Sequence, residues 1–358
     1  MALATKVDAL IVGGGPAGLA AGIVLSEQGL QVMLCEKQSY PIDKACGEGI
    51  MPTGVAALKR LGIYDLIDHN ATHPIRGIRY IASNGEQAEA AFAEGPGLGV
   101  RRTALSQALY NRAQQCHRLS IHIGCEVGGI CRQDGGFSIK LGDRQIQTSL
   151  LVGADGLHSR VRRFAGLQGS KSSLMRWGTT QHYAIKPWTD HVEIHWQNGV
   201  EAYVTPLGLE EIGIAFLWSP GNLSKGPLLT KLLDQFPKLA QKLVRATPIG
   251  PTRAIGPLHQ ITRAQVAHNI VLIGDAAGYL DPITGEGISL ALSQAIKLAH
   301  LPSFQQSYRK LVRHYYMTTR LALLLAKFPA RQSAAIQFLG RHPKIFQRLL
   351  SLNMGNCN

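Results

Sequence analysis

Paired cysteines, long apolar runs and C-terminal acids are all missing from this sequence, and each absence narrows what the chain can be. The six cysteines (Cys35, Cys46, Cys116, Cys125, Cys131 and Cys357) include no C-x-x-C pair. Zinc and iron–sulfur sites need clustered thiols, so no metal centre is expected. Scattered thiols in a chain of 358 residues also argue against a disulfide framework. The longest purely apolar run near the C-terminal end is Leu321 to Ala326. That is far short of the ~20 residues a membrane span requires. A strand pattern starts almost at once, at Val7, and leaves no room for a signal peptide, so a cytoplasmic location is the expectation. No repeat or low-complexity tract is present.

Acidic residues are scarce, 23 against 37 Lys and Arg, for a net charge of +14. Glu286 is the last of them. Ten cations follow: Lys297, Arg309, Lys310, Arg313, Arg320, Lys327, Arg331, Arg341, Lys344 and Arg348. The final fifth of the chain thus carries +10 of the +14. Two readings stay open. One is a solvated helical face. The other is attraction to an anionic membrane periphery or an acidic carrier protein. Nucleic acid is not expected as a partner, because no known binding module is visible.

What the sequence does hold is glycine, 39 residues of it, in a chain that is 45% apolar. Residues 7–37 read strand, glycine turn, helix, strand. The first strand, through Asp8-Ala9-Leu10-Ile11-Val12, is nearly continuous in apolar residues, as a buried parallel strand is. A helix runs from Ala17 to about Gln28 and stops at Gly29. The second strand covers Gln31 to Glu36. Residues 75–98 read as extended, with a turn at Asn84-Gly85. A helix from about Thr103 to Cys116 and short strands over 121–152 follow. Residues 177–218 alternate, with Val192, Ile194 and Trp196 on one face, and contain all four tryptophans. They read as an antiparallel sheet with an aromatic face. Helix is expected over 226–245, strand over 269–275, helix from Gly287 to Ala299, and basic helix over 303–353.

Gly13-Gly14-Gly15-Pro16-Ala17-Gly18 fits G-x-G-x-x-G between a strand and a helix. Gly13 makes the tight turn, Gly15 admits a pyrophosphate, and Gly18 lets helix pack on strand. The helix N-terminus then offers free N–H groups to phosphate, next to Pro16 and Ala17. Glu36, followed by Lys37, ends the second strand where a carboxylate accepts ribose hydroxyls and repels a 2′-phosphate. The motif predicts a dinucleotide and leaves NAD and FAD both open.

Two further segments decide between them by resemblance. Gly153-Ala154-Asp155-Gly156-Leu157-His158-Ser159-Arg160-Val161-Arg162 resembles the DG motif of flavoprotein hydroxylases. Ile273-Gly274-Asp275-Ala276-Ala277-Gly278, continuing to Gly287, resembles their GD motif. The chain resembles the para-hydroxybenzoate hydroxylase superfamily from residue 7 to about 300. Lys44-Ala45-Cys46-Gly47-Glu48-Gly49 and Asp281-Pro282-Ile283-Thr284-Gly285-Glu286-Gly287 point to its geranylgeranyl reductase-like branch.

The resemblance implies FAD, with NADH or NADPH as electron donor. It implies an α/β fold: a Rossmann-like FAD-binding domain of the GR2 type, an inserted antiparallel β-sheet substrate domain and a helical C-terminal segment. The cofactor domain is expected from 1–74, 97–170 and 265–300. The sheet domain is expected from 75–96 and 171–264, and the basic segment from 301–358. It further implies that Lys44, Ala45, Gly274 and Asp275 meet FAD, with Asp275 on ribityl or ribose hydroxyls. Gly285, Gly287 and Ile288 would face the pyrophosphate or the flavin. Arg102 would sit near the phosphates, with Arg101 as the substitute. Asp155 has a structural reading and one linked to pyridine nucleotide. Cys46, Pro282, Gly285 and Glu286 are the candidate catalytic positions, with Glu48 a further acid. His182, Trp196, Tyr203 and Pro206 are the candidate substrate pocket.

Three functions follow. The favoured one is a monooxygenase that hydroxylates an apolar or aromatic, polyketide- or isoprenoid-like substrate through a flavin C4a-hydroperoxide. The alternative is a carbon–carbon double-bond reductase. The third is a non-catalytic flavoprotein redox partner. Gly278 stands where hydroxylases often place His, which favours the reductase. Tyr203-Val204-Thr205-Pro206 matches the reductases' Y-x-W-x-F-P only in part, and the chain lacks the long C-terminal part of many reductases; both count against it. Halogenation is not expected, since W-x-W-x-I-P is missing. The substrate is expected to be an apolar small molecule, whether free, carrier-tethered or membrane-embedded.

Overall fold

A computed structural model describes residues 5–170, 175–219, 228–326 and 328–353. Cys357, Lys327 and the first two residues of the helix expected at 226–245 lie outside them. Five parallel strands form the centre of the molecule. In spatial order they are Ile270–Leu272, Arg144–Gly153, Thr5–Val12, Val32–Glu36 and Leu119–Ile123. The first strand is apolar on both faces because both are covered: Leu10 and Ile11 are fully buried. The helix Pro16–Glu27 makes the crossover to Val32–Glu36, ending where Gly29 takes φ +88°. A meander, Val127–Gln133 and Gly136–Leu141, adds two antiparallel strands against Arg144–Gly153.

A second sheet has seven strands, in the order Thr247–Ile255, Trp177–Ala184, Glu211–Trp218, Val200–Pro206, His191–Gln197, Gly77–Ile81 and Gln87–Ala91. All its pairs are antiparallel save one, His191–Gln197 with Gly77–Ile81. The turn at Gly85 closes the hairpin of residues 77–91 as expected. The expected aromatic face differs. The strands are buried on both sides, so alternation divides the tryptophans. Trp196 packs on Tyr80 in one apolar cluster, while Trp188 and Trp218 border the other.

A three-stranded sheet (Gly49–Ile50, Gly97–Val100, Thr72–Ile75) and the helix Pro52–Arg60 link the two. Neither was anticipated. The helix expected at 226–245 is two, Leu228–Asp234 and Pro237–Lys242, broken at Pro237. The expected strand at 269–275 is shorter, because Gly274 turns into a 3₁₀ segment, Gly274–Ala277. Helices Gly287–Lys297, Phe304–Ala326, Pro329–Arg341 and Pro343–Asn353 complete the chain. Among the described residues, no helix is long and apolar enough to cross a membrane.

Candidate cofactor and active site

A continuous cavity of about 580 Å³ runs from the first glycine loop to the seven-stranded sheet. Its first end is built by backbone. A Cβ on Gly13 would lie 2.4 Å from Ala154 O, and one on Gly18 would lie 1.8 Å from Gly13 O. Only hydrogen fits at either place. Gly15 is different: nothing comes nearer its ideal Cβ than Arg102 Nη2 at 4.0 Å. The space beside it is an open cradle at a helix N-terminus, and that is what a pyrophosphate needs. Glu36 accepts from Gly14 N–H at 2.6 Å and from Gln38 N–H at 2.8 Å, which holds its carboxylate on the cavity wall. The residues fit FAD, with Gly15, Glu36 and Arg102 to hold its ADP half.

The DG and GD loops meet over the middle of the cavity. Asp155 Oδ2 accepts from Arg160 N–H and Val161 N–H at 2.6 and 3.2 Å, while its Oδ1 is buried without a partner. Both readings of Asp155 therefore keep support: it caps a helix and lines the cavity. Arg162 was quoted only as part of the motif. It is fully buried and clamps the two loops, donating to Leu157 O at 2.5 Å and to Ala276 O at 3.0 Å. Lys44 Nζ lies 3.7 Å from Asp275 Oδ2 across the cavity mouth.

The far end brings Cys46 and Glu48 against the seven-stranded sheet. Cys46 N–H donates to Thr180 Oγ1 at 3.2 Å, and the Thr180 hydroxyl donates back to Cys46 O at 3.2 Å. The Cys46 Sγ accepts from Glu48 N–H at 3.3 Å. Burial pushes the thiol above its ordinary pKa, with nearby Arg102 opposing, so the sulfur keeps its proton at neutral pH. Glu48 is buried with φ +58°. Its Oε1 accepts from Arg102 N–H at 2.7 Å, and its Oε2 meets His182 Nε2 at 2.6 Å.

The structure gathers most of the anticipated site around this one cavity: Gly13, Gly15, Pro16, Ala17, Glu36, Lys37, Lys44, Ala45, Cys46, Arg102, Asp155, Tyr203, Gly274, Asp275, Pro282, Gly285, Gly287 and Ile288. Five positions fall elsewhere. Gly18 packs beneath the loop. His182 stands behind the wall and reaches the cavity only through Glu48. Trp196 shares the cavity-side face of its strand with Val192 but lies further along it, beyond the cavity, and packs on Tyr80 in the apolar cluster. Pro206 brings its carbonyl against Gly99, where the two sheets touch. Glu286 is buried beside the loop, with Oε2 unpartnered, and burial pushes its carboxyl up to about 8. Arg101 pairs with Glu211 at 2.5 Å, and of the two arginines Arg102 is the one that lines the cavity. Thr180, on the strand Trp177–Ala184, and Leu258 and Tyr279, outside the large sheet, also line the cavity and were not anticipated.

A glycine cradle, two loops clamped over a shared cavity and a thiol at its far end define a flavin-dependent oxidoreductase. The chain belongs to the FAD binding domain family, whose model matches residues 6–301. It is 27% identical to a menaquinone reductase of Mycolicibacterium smegmatis, over 90% of this chain and 85% of that one. It is 29% identical to the ubiquinone hydroxylase UbiL of Rhodospirillum rubrum, over 82% of this chain and 71% of that one. The solved flavin-dependent brominase Bmp2 superposes with a TM-score of 0.83, over 99% of this chain and 94% of that one. At 19% identity that likeness shows the fold alone.

Proposed function

We propose that this enzyme reduces a carbon–carbon double bond in an apolar, isoprenoid-type substrate. The observation that carries the reading is Cys46: a protonated thiol on the cavity wall, held by Thr180 and by the Glu48 amide. Saturating an alkene takes a hydride on one carbon and a proton on the other. FAD, once reduced by NADH or NADPH, would supply the hydride. The proton comes from Cys46 Sγ, which solvent reprotonates. Val192, Tyr203, Phe216, Leu217, Ile255 and Leu258 give the far end an apolar wall.

The near full-length match to a reductase weakens the length argument raised from the sequence, and this shifts the preference from oxygen insertion to reduction. Hydroxylation of an apolar substrate is the second reading. The apolar wall and the identity to a named hydroxylase support it.

The test is anaerobic. The purified yellow protein is reduced and given a polyprenyl alkene, such as the side chain of a prenylated quinone. Flavin reoxidation without O₂ and a product two hydrogens heavier are the expected result. No turnover without O₂, with an oxygen atom from O₂ in the product when O₂ is admitted, would overturn the proposal in favour of the hydroxylase.

A further inference from the structure

The C-terminal helices combine three features that the cofactor site does not use. The first is charge: from 297 to 348 the sequence has ten cations and no acid. The second is exposed apolar surface. Eight of the fourteen large apolar side chains exposed among the described residues lie between 317 and 352. A fold that only needed a solvated face would place polar residues there.

The third is pattern. In the helix Phe304–Ala326 the inward side holds Tyr308, Val312, Tyr315 and Thr319. The opposite side, at helical spacing, carries Arg313, Met317, Arg320, Leu321 and Leu324, all exposed. In Pro329–Arg341 the exposed stripe is Arg331, Phe338 and Arg341. In Pro343–Asn353 it is Ile345, Arg348, Leu349 and Leu352, with Lys344 at its edge. Each helix thus shows apolar side chains and cations on one exposed side.

We propose that helices 304–353 form a docking surface for an anionic lipid bilayer. Mixed stripes fit a bilayer interface because it accepts both kinds of group at once. Leu, Ile, Met and Phe enter the acyl boundary, while guanidinium and ammonium groups stay at the phosphates. An acidic soluble partner would match the cations and leave the apolar side chains unexplained.

The inner sides of these helices sharpen the inference. Ile336, Phe346 and Leu350 share one apolar cluster with Met51, Tyr203 and Leu258, which line the cavity. The lipid-facing helices therefore back onto the apolar end of the site. The inference does not rest on the reaction proposed above, and its test reads binding without turnover.

The FAD-loaded full chain is sedimented with vesicles of phosphatidylcholine alone and with vesicles containing phosphatidylglycerol. Binding to the anionic vesicles only is expected, falling on the order of tenfold or more between about 0.05 and about 0.5 M salt. The triple variant Arg341→Gln, Lys344→Gln, Arg348→Gln is expected to lose about fivefold per cation, on the order of a hundredfold in all. The double variant Leu349→Ser, Leu352→Ser is expected to lose on the order of tenfold or more. All five substituted positions are exposed, and retained flavin absorbance shows the variants folded. No sedimentation with anionic vesicles at low salt would overturn the proposal. So would equal binding to neutral vesicles, binding unchanged by the triple variant, or capture by an acidic soluble protein in place of vesicles.

Discussion

Glu48 is a carboxylate held in a conformation that glycine prefers. A non-glycine residue in the left-handed region costs about 1–2 kcal/mol. Glu48 offsets that cost with two hydrogen bonds, to the Arg102 amide and to His182. Replacing Glu48 with Ala removes both while the backbone conformation stays demanding. A loss of about 2–4 kcal/mol in urea unfolding is expected, with weaker FAD binding because Arg102 starts its helix from that contact. Cys46 makes a separate prediction. Cys46→Ser keeps the size but weakens the acid, so turnover of the alkene should fall roughly 10²-fold or more with FAD affinity unchanged. An unchanged rate would remove the thiol from the chemistry. Glu286 predicts a pH effect. Burial pushes its carboxyl from the ordinary 4.5 to about 8, so the folded protein holds that proton more tightly than the unfolded chain. Its stabilising contribution is complete below about 4.5, declines as pH rises, and has gone above about 8. Thermal melts of Glu286→Gln across that window should show a flatter decline, by at most about 5 kcal/mol. Burial likewise lifts Asp281, to about 7 against the pull of Arg176, and it accounts for the slope that remains.

At the scale of elements, the first glycine loop separates folding from binding. Gly18→Ala places a methyl against Gly13 O and should destabilise the protein with or without cofactor. Gly15→Ala meets only Arg102 Nη2, at 4.0 Å, and needs no left-handed backbone, since φ is −68°. It should leave the apoprotein's unfolding midpoint in place and weaken FAD binding by roughly tenfold, as measured by flavin fluorescence titration. The spacing of these glycines, and of Glu36, was legible in the sequence because local geometry alone sets it. Cys46, Pro282 and Asp275, marked by the family resemblance and not by local geometry, line the same cavity. The bond between Glu48 and His182 was not legible. The two are 134 residues apart, and no local signal records which strand crosses behind which loop. Trp196 failed for a related reason. Alternation puts it on the face of Val192, which lines the cavity, and does not tell how far along the strand the cavity reaches.

On the scale of the whole molecule, the fold class was readable, through the glycine turn, the buried first strand and the motifs that resemble a known family. The single parallel pair in the large sheet was not. It joins Gly77–Ile81 to His191–Gln197 across more than a hundred residues of intervening chain. That pair has a consequence for synthesis. The hairpin of residues 77–91 leaves the ribosome with its partner strand still untranslated. At 5–20 residues per second it waits on the order of ten seconds for that partner. During the wait Ile78 and Ala90, buried in the finished protein, have nothing to pack on and the edge of Gly77–Ile81 is unpaired. A nascent chain arrested just before residue 191 should therefore bind holdase chaperones more strongly than one arrested past 218, where the sheet's inner strands can close over it.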